Sequence, residues 1–334
     1  KVFPINMPTN SSLDAKDKAI LYCLDQDARQ ANSIIAKKTR LSKEVVNYRI
    51  KRLVDQKIIR SFYAIIDNSK LGYMVFRVFV RFQDVDIDKE KEILRFLRNL
   101  KSVGWVILLE ETYDLAILIW AKNVYEFKEI FDQILEKHGS YFQDSFVTII
   151  TQIHHYMNNY IYDQNDLLER VIGGKTKTVS LDEIDMQILW FLSKNAREPL
   201  LNMANKLDVA PNTVKQRIKN LKEKKVIVGF RPKIDTGQLG YHNYKIFLKL
   251  ADVNPRVRLK LKEYLKLNRN VTYVTEAIGR SDLEFEVQVR SSRELRKNLK
   301  ELRRNFGQLI RHYRTVVVNK EYVVDYFPEI KKIK

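Results

Sequence analysis

Apolar positions near the start of the chain recur at two different spacings. Ile20, Leu21 and Leu24 mark the buried stripe of a first helix, and Asp14 and Asp17 ahead of them read as an N-cap with an acid at N3. A second short helix is expected over about Asn32–Lys38. Ser42 reads as the N-cap of a third, in which Val46, Ile50 and Leu53 stand at i, i+4 and i+7. The pattern then becomes β-rich over Ile58–Ile66. Three helices and a β-hairpin of this size predict a winged helix-turn-helix. Beyond it, strands are expected at Tyr73–Phe82, Val103–Glu110, Leu115–Ala121 and Ser145–His155, with helices near Lys89–Leu100 and Val124–His138. The order β-α-β-β-α-β is that of a ferredoxin-like sandwich.

The whole pattern is written twice. Ser12-Leu13-Asp14 returns as Ser180-Leu181-Asp182, an offset of 168 that also carries Arg49-Ile50-Lys51 onto Arg217-Ile218-Lys219 and Leu71-Gly72-Tyr73 onto Leu239-Gly240-Tyr241. Over Ser12–Tyr73 and its copy, 24 of 62 positions are identical without a gap. Chance does not hold register that long. The predicted fold class is therefore α+β, a tandem duplication of a winged helix-turn-helix and a ferredoxin-like module. The expected boundaries are 1–70 and 71–162 for the first copy, a linker at 163–179 carrying Gly173 and Gly174, then 180–238 and 239–334.

Charge sharpens this picture. The 334 residues carry 60 lysines and arginines against 41 acids, a formal +19, which points to a polyanionic partner, nucleic acid before membrane. Residues 1–168 account for +2 of this and residues 169–334 for +17. No apolar stretch is long enough to span a bilayer, and KVFPINMPTN lacks a signal-peptide core, so a cytoplasmic, nucleoid location is expected. The single cysteine, Cys23, aligns with Phe191 and reads as a core thiol. His154 and His155 are consecutive, so on a strand they face opposite ways, and no zinc pattern exists; neither a metal nor a cofactor is expected. No Walker, Rossmann or nucleophile-elbow motif is present, so catalysis finds no support.

The LDxxDxxIL openings at Leu13 and Leu181, the DAR and NAR at Asp27 and Asn195, the VxxRIKxL cores and the LGY motifs together resemble the Lrp/AsnC (feast/famine) transcriptional regulators. The Gly279-Arg280-Ser281-Asp282 segment is similar to the turn of that family's RAM, or AsnC effector-type, module. The resemblance implies double-stranded DNA as partner and dimerisation through the α/β module. Because this chain holds two copies, it implies an intrachain pseudo-dimer that further assembles. It also implies a small effector, usually an amino acid, near that turn, at Gly279, Arg280, Ser281 and Asp282 with Tyr113 and Asp114 as the degenerate partner. Arg280 would take a carboxylate and Asp282 an ammonium; the alternative is a tight turn whose aspartate binds backbone amides. Glu111 stands where the second copy has Gly279.

On the recognition helices, polar groups must reach base edges from one face while apolar ones anchor the other. That selects Lys43, Asn47, Tyr48, Lys51 and Arg52 in the first copy, and Asn212, Thr213, Lys215, Gln216 and Lys219 in the second. Arg49 and Arg217 either join them or hold the helix by an ion pair. Arg60, Arg231 and Lys233 on the wings suit phosphate contacts. The reading faces differ while the cores match, which predicts a non-palindromic or degenerate site. Two alternatives remain open: an architectural chromatin protein, and an enzyme, since sirohaem decarboxylases use the same pair of modules.

Overall fold

The computed structural model describes residues 13–251 and 254–328; the KVFPINMPTN segment lies outside them. In the first copy, α1 (Ala15–Gln26), α2 (Asn32–Thr39) and α3 (Lys43–Asp55) lead to β1 (Ile59–Ile66). The α/β module follows as β2 (Met74–Phe82), α4 (Ile87–Asn99), β3 (Val103–Glu110), β4 (Leu115–Ala121), α5 (Val124–His138) and β5 (Phe142–Tyr156). A short α6 (Asn159–Tyr162) and β6 (Glu169–Gly173) precede the second copy. Its winged helix comprises α7 (Glu183–Lys194), α8 (Leu200–Leu207), α9 (Pro211–Glu223) and β7 (Ile227–Ile234). Its module comprises β8 (His242–Leu250), α10 (Pro255–Leu267), β9 (Val271–Ile278), β10 (Leu283–Val289), α11 (Ser292–Phe306) and β11 (Ile310–Val324).

Local chemistry accounts for the boundaries. The Asp14 carboxylate accepts from the Asp17 amide while Asp17 returns the favour to the Asp14 amide, a reciprocal cap that fixes the start of α1. Ser42 and Ser291 cap α3 and α11 in the same sense, and Pro211 and Pro255 occupy first turns where no N–H is needed.

Each module is a four-stranded antiparallel sheet in the order fourth-first-third-second, β5-β2-β4-β3 and β11-β8-β10-β9. Two seams join them, β3 to β11 and β9 to β5, so the eight strands close into one barrel, with β6 extending along β5. Closure removes the edges that an isolated sheet would leave unpaired. Period-two alternation then divides the strands. Phe76, Val78 and Val80 face α4 and α5 outside; Ile246 and Leu248 face α10 and α11. Arg77, Phe79, Lys245 and Phe247 face inward, where Phe79 stacks on Phe146 at 4.8 Å.

Two expectations change here. Among the described residues no hairpin forms within either winged helix: β1 pairs antiparallel with β7 of the other copy. Each strand also packs on the other copy's first helix, Ala64 and Ile66 against Ile188 and Leu192, and Ile234 beside Ile20 and Leu24. The stretch 163–179 is not a free linker, because β6 belongs to the barrel's sheet and Gly173 and Gly174 bend the chain at φ 84° and 90°.

Candidate DNA interface

The two reading helices are built alike. Val46, Ile50 and Leu53 bury one face of α3, and Val214, Ile218 and Leu221 bury that of α9. The turn into each is made by a residue in left-handed conformation, Arg40 at φ 55° and Asp208 at φ 53°. Opposite the buried faces, Lys43, Asn47, Tyr48 and Lys51 are exposed on α3, and Asn212, Lys215, Gln216 and Lys219 on α9, with Thr213 half-buried. Tyr48 is the aromatic member of this face and is 66% exposed. Asn47 accepts from the Asn32 amide, and Gln216 donates to Asn220 at 2.9 Å, so both side-chain amides are oriented by neighbours.

Arg49 and Arg217 hold their helices by internal ion pairs. The Arg49 guanidinium reaches Asp14 at 2.6 Å and Asp17 at 2.9 Å; Arg217 reaches Asp182 at 2.6 Å and Asp185 at 3.0 Å. The Asp185 amide and the Arg217 guanidinium hold the Asp182 carboxyl below its usual range. Arg52 likewise binds Asp17 at 2.6 Å. These three arginines set the pitch of the reading helix against the first helix, a positioning task.

The wing assignment of Arg231 is corrected. Arg231 is 2% exposed and its Nε donates to the buried Asp25 carboxylate at 2.5 Å. Arg60 is paired with Asp235, and Lys233 with Glu321 at 2.7 Å. A strand exchanged between copies points alternate side chains into the other copy, which is why Arg231 lies inside, while Arg60 stays exposed and Lys233 half-buried. Further exposed cations lie at the ends of the reading helices, at Lys57 in the first copy and at Lys222, Lys224 and Lys225 in the second.

What joins the two helices was not read from the sequence. Tyr63 and Arg231, equivalent at the offset of 168, face each other across the β1–β7 ribbon, so the pseudo-twofold axis passes between them. Around it the contacts are reciprocal. Arg29 donates to the carbonyls of Ala196 at 2.5 Å and Glu198 at 3.0 Å; Arg197 donates to Ala28 at 2.6 Å and Gln30 at 3.4 Å. The amides of Ala28 and Ala196 bond to Phe230 and Phe62 at 3.0 and 2.9 Å. The signal was the arginine of DAR and NAR, repeated at the same offset.

The turn at Gly279–Asp282 is used internally. Asp282 accepts from the Leu250 amide and from Lys249, both at 2.9 Å, and Asp114 accepts from the Phe82 amide at 2.8 Å. Ser281 is buried and donates to Glu284 at 2.8 Å. Arg280 does meet the first copy, bonding the Tyr113 hydroxyl at 3.1 Å and lying 4.4 Å over the Phe146 ring. Gly279 adopts φ 153°, and its counterpart Glu111 holds φ 90° with a side chain attached.

Residues 13–60 match the winged helix-turn-helix DNA-binding model and residues 181–222 the AsnC-type helix-turn-helix domain. The HTH-type transcriptional regulator LrpA of Pyrococcus horikoshii is 36% identical over 127 residues, which cover 37% of this chain and 87% of the relative. An uncharacterized HTH-type transcriptional regulator of Pyrococcus furiosus is 32% identical over 127 residues, 38% of this chain and 82% of the relative. Among solved structures, the siroheme decarboxylase NirDL superposes with a TM-score of 0.64 over 95% of both chains at 14% identity, a likeness of fold alone. With regulators of this kind aligned over most of their length and a matching domain in each half, the chain belongs to the Lrp/AsnC family.

Proposed function

We propose that this protein is a DNA-binding transcriptional regulator that reads its site as an intrachain pseudo-dimer. One observation carries the reading: two exposed polar helix faces, each clamped from behind by its own arginine–aspartate pairs, are locked to each other by reciprocal backbone contacts about one axis. Fixed separation makes the second contact intramolecular once the first forms, which raises its effective concentration. The relatives' names as transcriptional regulators support the same reading. Because α3 and α9 present different side chains, the two half-sites differ. The protein acts on cytoplasmic DNA, without catalysis; the decarboxylase likeness is one of fold and brings no activity with it.

The test is a salt titration of binding to selected genomic fragments and to random duplex. A regulator gives a log affinity falling linearly with log salt, by about 0.9 per phosphate contact, and a specificity ratio of roughly 10³ or more. A steep salt dependence with no preference identifies an architectural protein; no binding at low salt overturns both.

A further inference from the structure

The barrel is filled at one end only. Around Phe79, Phe146 and Phe247 the aromatic layer is closed, whereas towards the β1–β7 ribbon the interior opens into a cavity of about 670 Å³. Sites for small molecules occupy roughly 300–1,000 Å³. Its walls are largely aromatic and aliphatic, with Trp105 and Trp120 from the barrel, Tyr63 from the ribbon, and Tyr326 stacked on Tyr63 at 3.9 Å. Gly173 and Gly174 close one side.

Two observations define what such a space takes. First, its floor is electrically balanced: Glu284 binds Arg77 at 2.5 Å and Lys245 at 3.3 Å, and Lys245 also binds Glu286 at 3.2 Å. With those cations already neutralised, the floor offers a polyanion no free partner, and the remaining lysine of the lining, Lys175, is exposed to solvent at the rim. Second, unsatisfied polar atoms gather at its wall. Among the described residues, both ring nitrogens of the buried His155, the Arg77 Nε and the Asn68 Oδ1 have no hydrogen-bond partner. Buried groups of this kind are normally paired, and these lie directly behind the cavity lining, within reach of a ligand's own donors and acceptors after a small side-chain shift. The site is also specific to one half. Leu118 and Trp120 become Glu286 and Gln288 at the equivalent positions, so the apolar lining is not repeated.

We infer that this cavity is a binding site for a flat, uncharged, largely apolar aromatic molecule, held between the tryptophans and Tyr63 and hydrogen-bonded at the His155 side. It is separate from the Gly279–Asp282 turn. Because Tyr63 lies on the ribbon that couples the two reading helices, occupancy shifts their spacing; this clause alone rests on the DNA-binding reading.

The neutral naphthalene dye Prodan serves as probe on the full chain. Saturable binding with a blue-shifted emission is expected, together with quenching of tryptophan fluorescence that survives in W190F. H155F weakens the probe about tenfold, and V75W, which fills the rim of the cavity from a half-buried position, abolishes binding; circular dichroism and the melting temperature show that each variant is folded. Unsaturable binding, or equal affinity in wild type, H155F and V75W, overturns the site. In the second arm, saturating Prodan changes DNA affinity at least about fivefold. Unchanged affinity overturns the effector role while leaving the site. A chain that binds the probe but no DNA overturns the regulator reading instead.

Discussion

The two copies share a backbone plan and differ where they meet. At the axis, Tyr63 of the first faces Arg231 of the second, and the carboxylate that neutralises Arg231 comes from Asp25, whose counterpart is Ser193. Inside the barrel, Ala116 and Leu118 of the first copy face the interior where the second has Glu284 and Glu286. A dimer of identical chains meets itself at its own axis and must place like against like. A fused chain is free of that rule, and here the freedom is spent on one-sided ion pairs and a one-sided cavity.

The sharpest way to break the contrast is at the axis. Asp25→Ala strands Arg231 as a buried, unpaired charge and is expected to cost about 3–5 kcal/mol in a denaturant titration. Restoring symmetry with Asp25→Ser plus Arg231→Tyr removes both charges and should recover most of that loss. Failure to recover would show that the pair does not act as a unit.

The two barrel seams differ next. At the β5–β9 seam Glu276 pairs with Lys262 and His154, whereas Leu108 holds the equivalent place in the first copy. Those partners, His154 first, lower the Glu276 pKa from 4.5 to about 2. A carboxylate held below its unfolded pKa adds stability above pH 4.5 that disappears as pH falls towards 2. Glu276→Gln should therefore lower stability at pH 7, by about 3 kcal/mol at most, and change little at pH 2. An equal loss at both pH values would mean that charge is not the cause.

The charge imbalance gives a smaller effect, on binding. Reversing Lys222, Lys224 and Lys225 to glutamate should weaken DNA affinity more than reversing Lys51 and Lys57, with each lost phosphate contact lowering the salt slope by about 0.9. Equal effects would detach the +17 of the second half from DNA. Smallest is the turn: Glu111 sits at φ 90° where its counterpart is glycine, so Glu111→Gly should raise stability by about 1 kcal/mol, readable as a higher denaturant midpoint.

Most elements were legible because their signals are local. Val124–His138, Val103–Glu110 and Leu115–Ala121 fall where the apolar pattern placed them, and the repeat gave each element a second reading. The exchanged strand was not legible. IIRSFYAII alternates in the same way whether its partner lies two residues away or in the other copy, and the choice is made by distant packing on α7. That is why Arg231 looked like a phosphate ligand and is a buried ion-pair partner. The cavity was hidden for a related reason. Trp105, Trp120 and His155 are far apart in the chain, and only barrel closure gathers them.

The Tyr63–Arg231 facing pair also makes the duplication hard to undo. Were the halves separated, a homodimer of the second would set two Arg231 guanidinia against each other with Ser193 in place of the neutralising carboxylate. A homodimer of the first would bury two Asp25 carboxylates opposite a pair of tyrosines. Neither half retains a viable partner in itself. Residues at a single axis thus commit each half to the other half of the same chain.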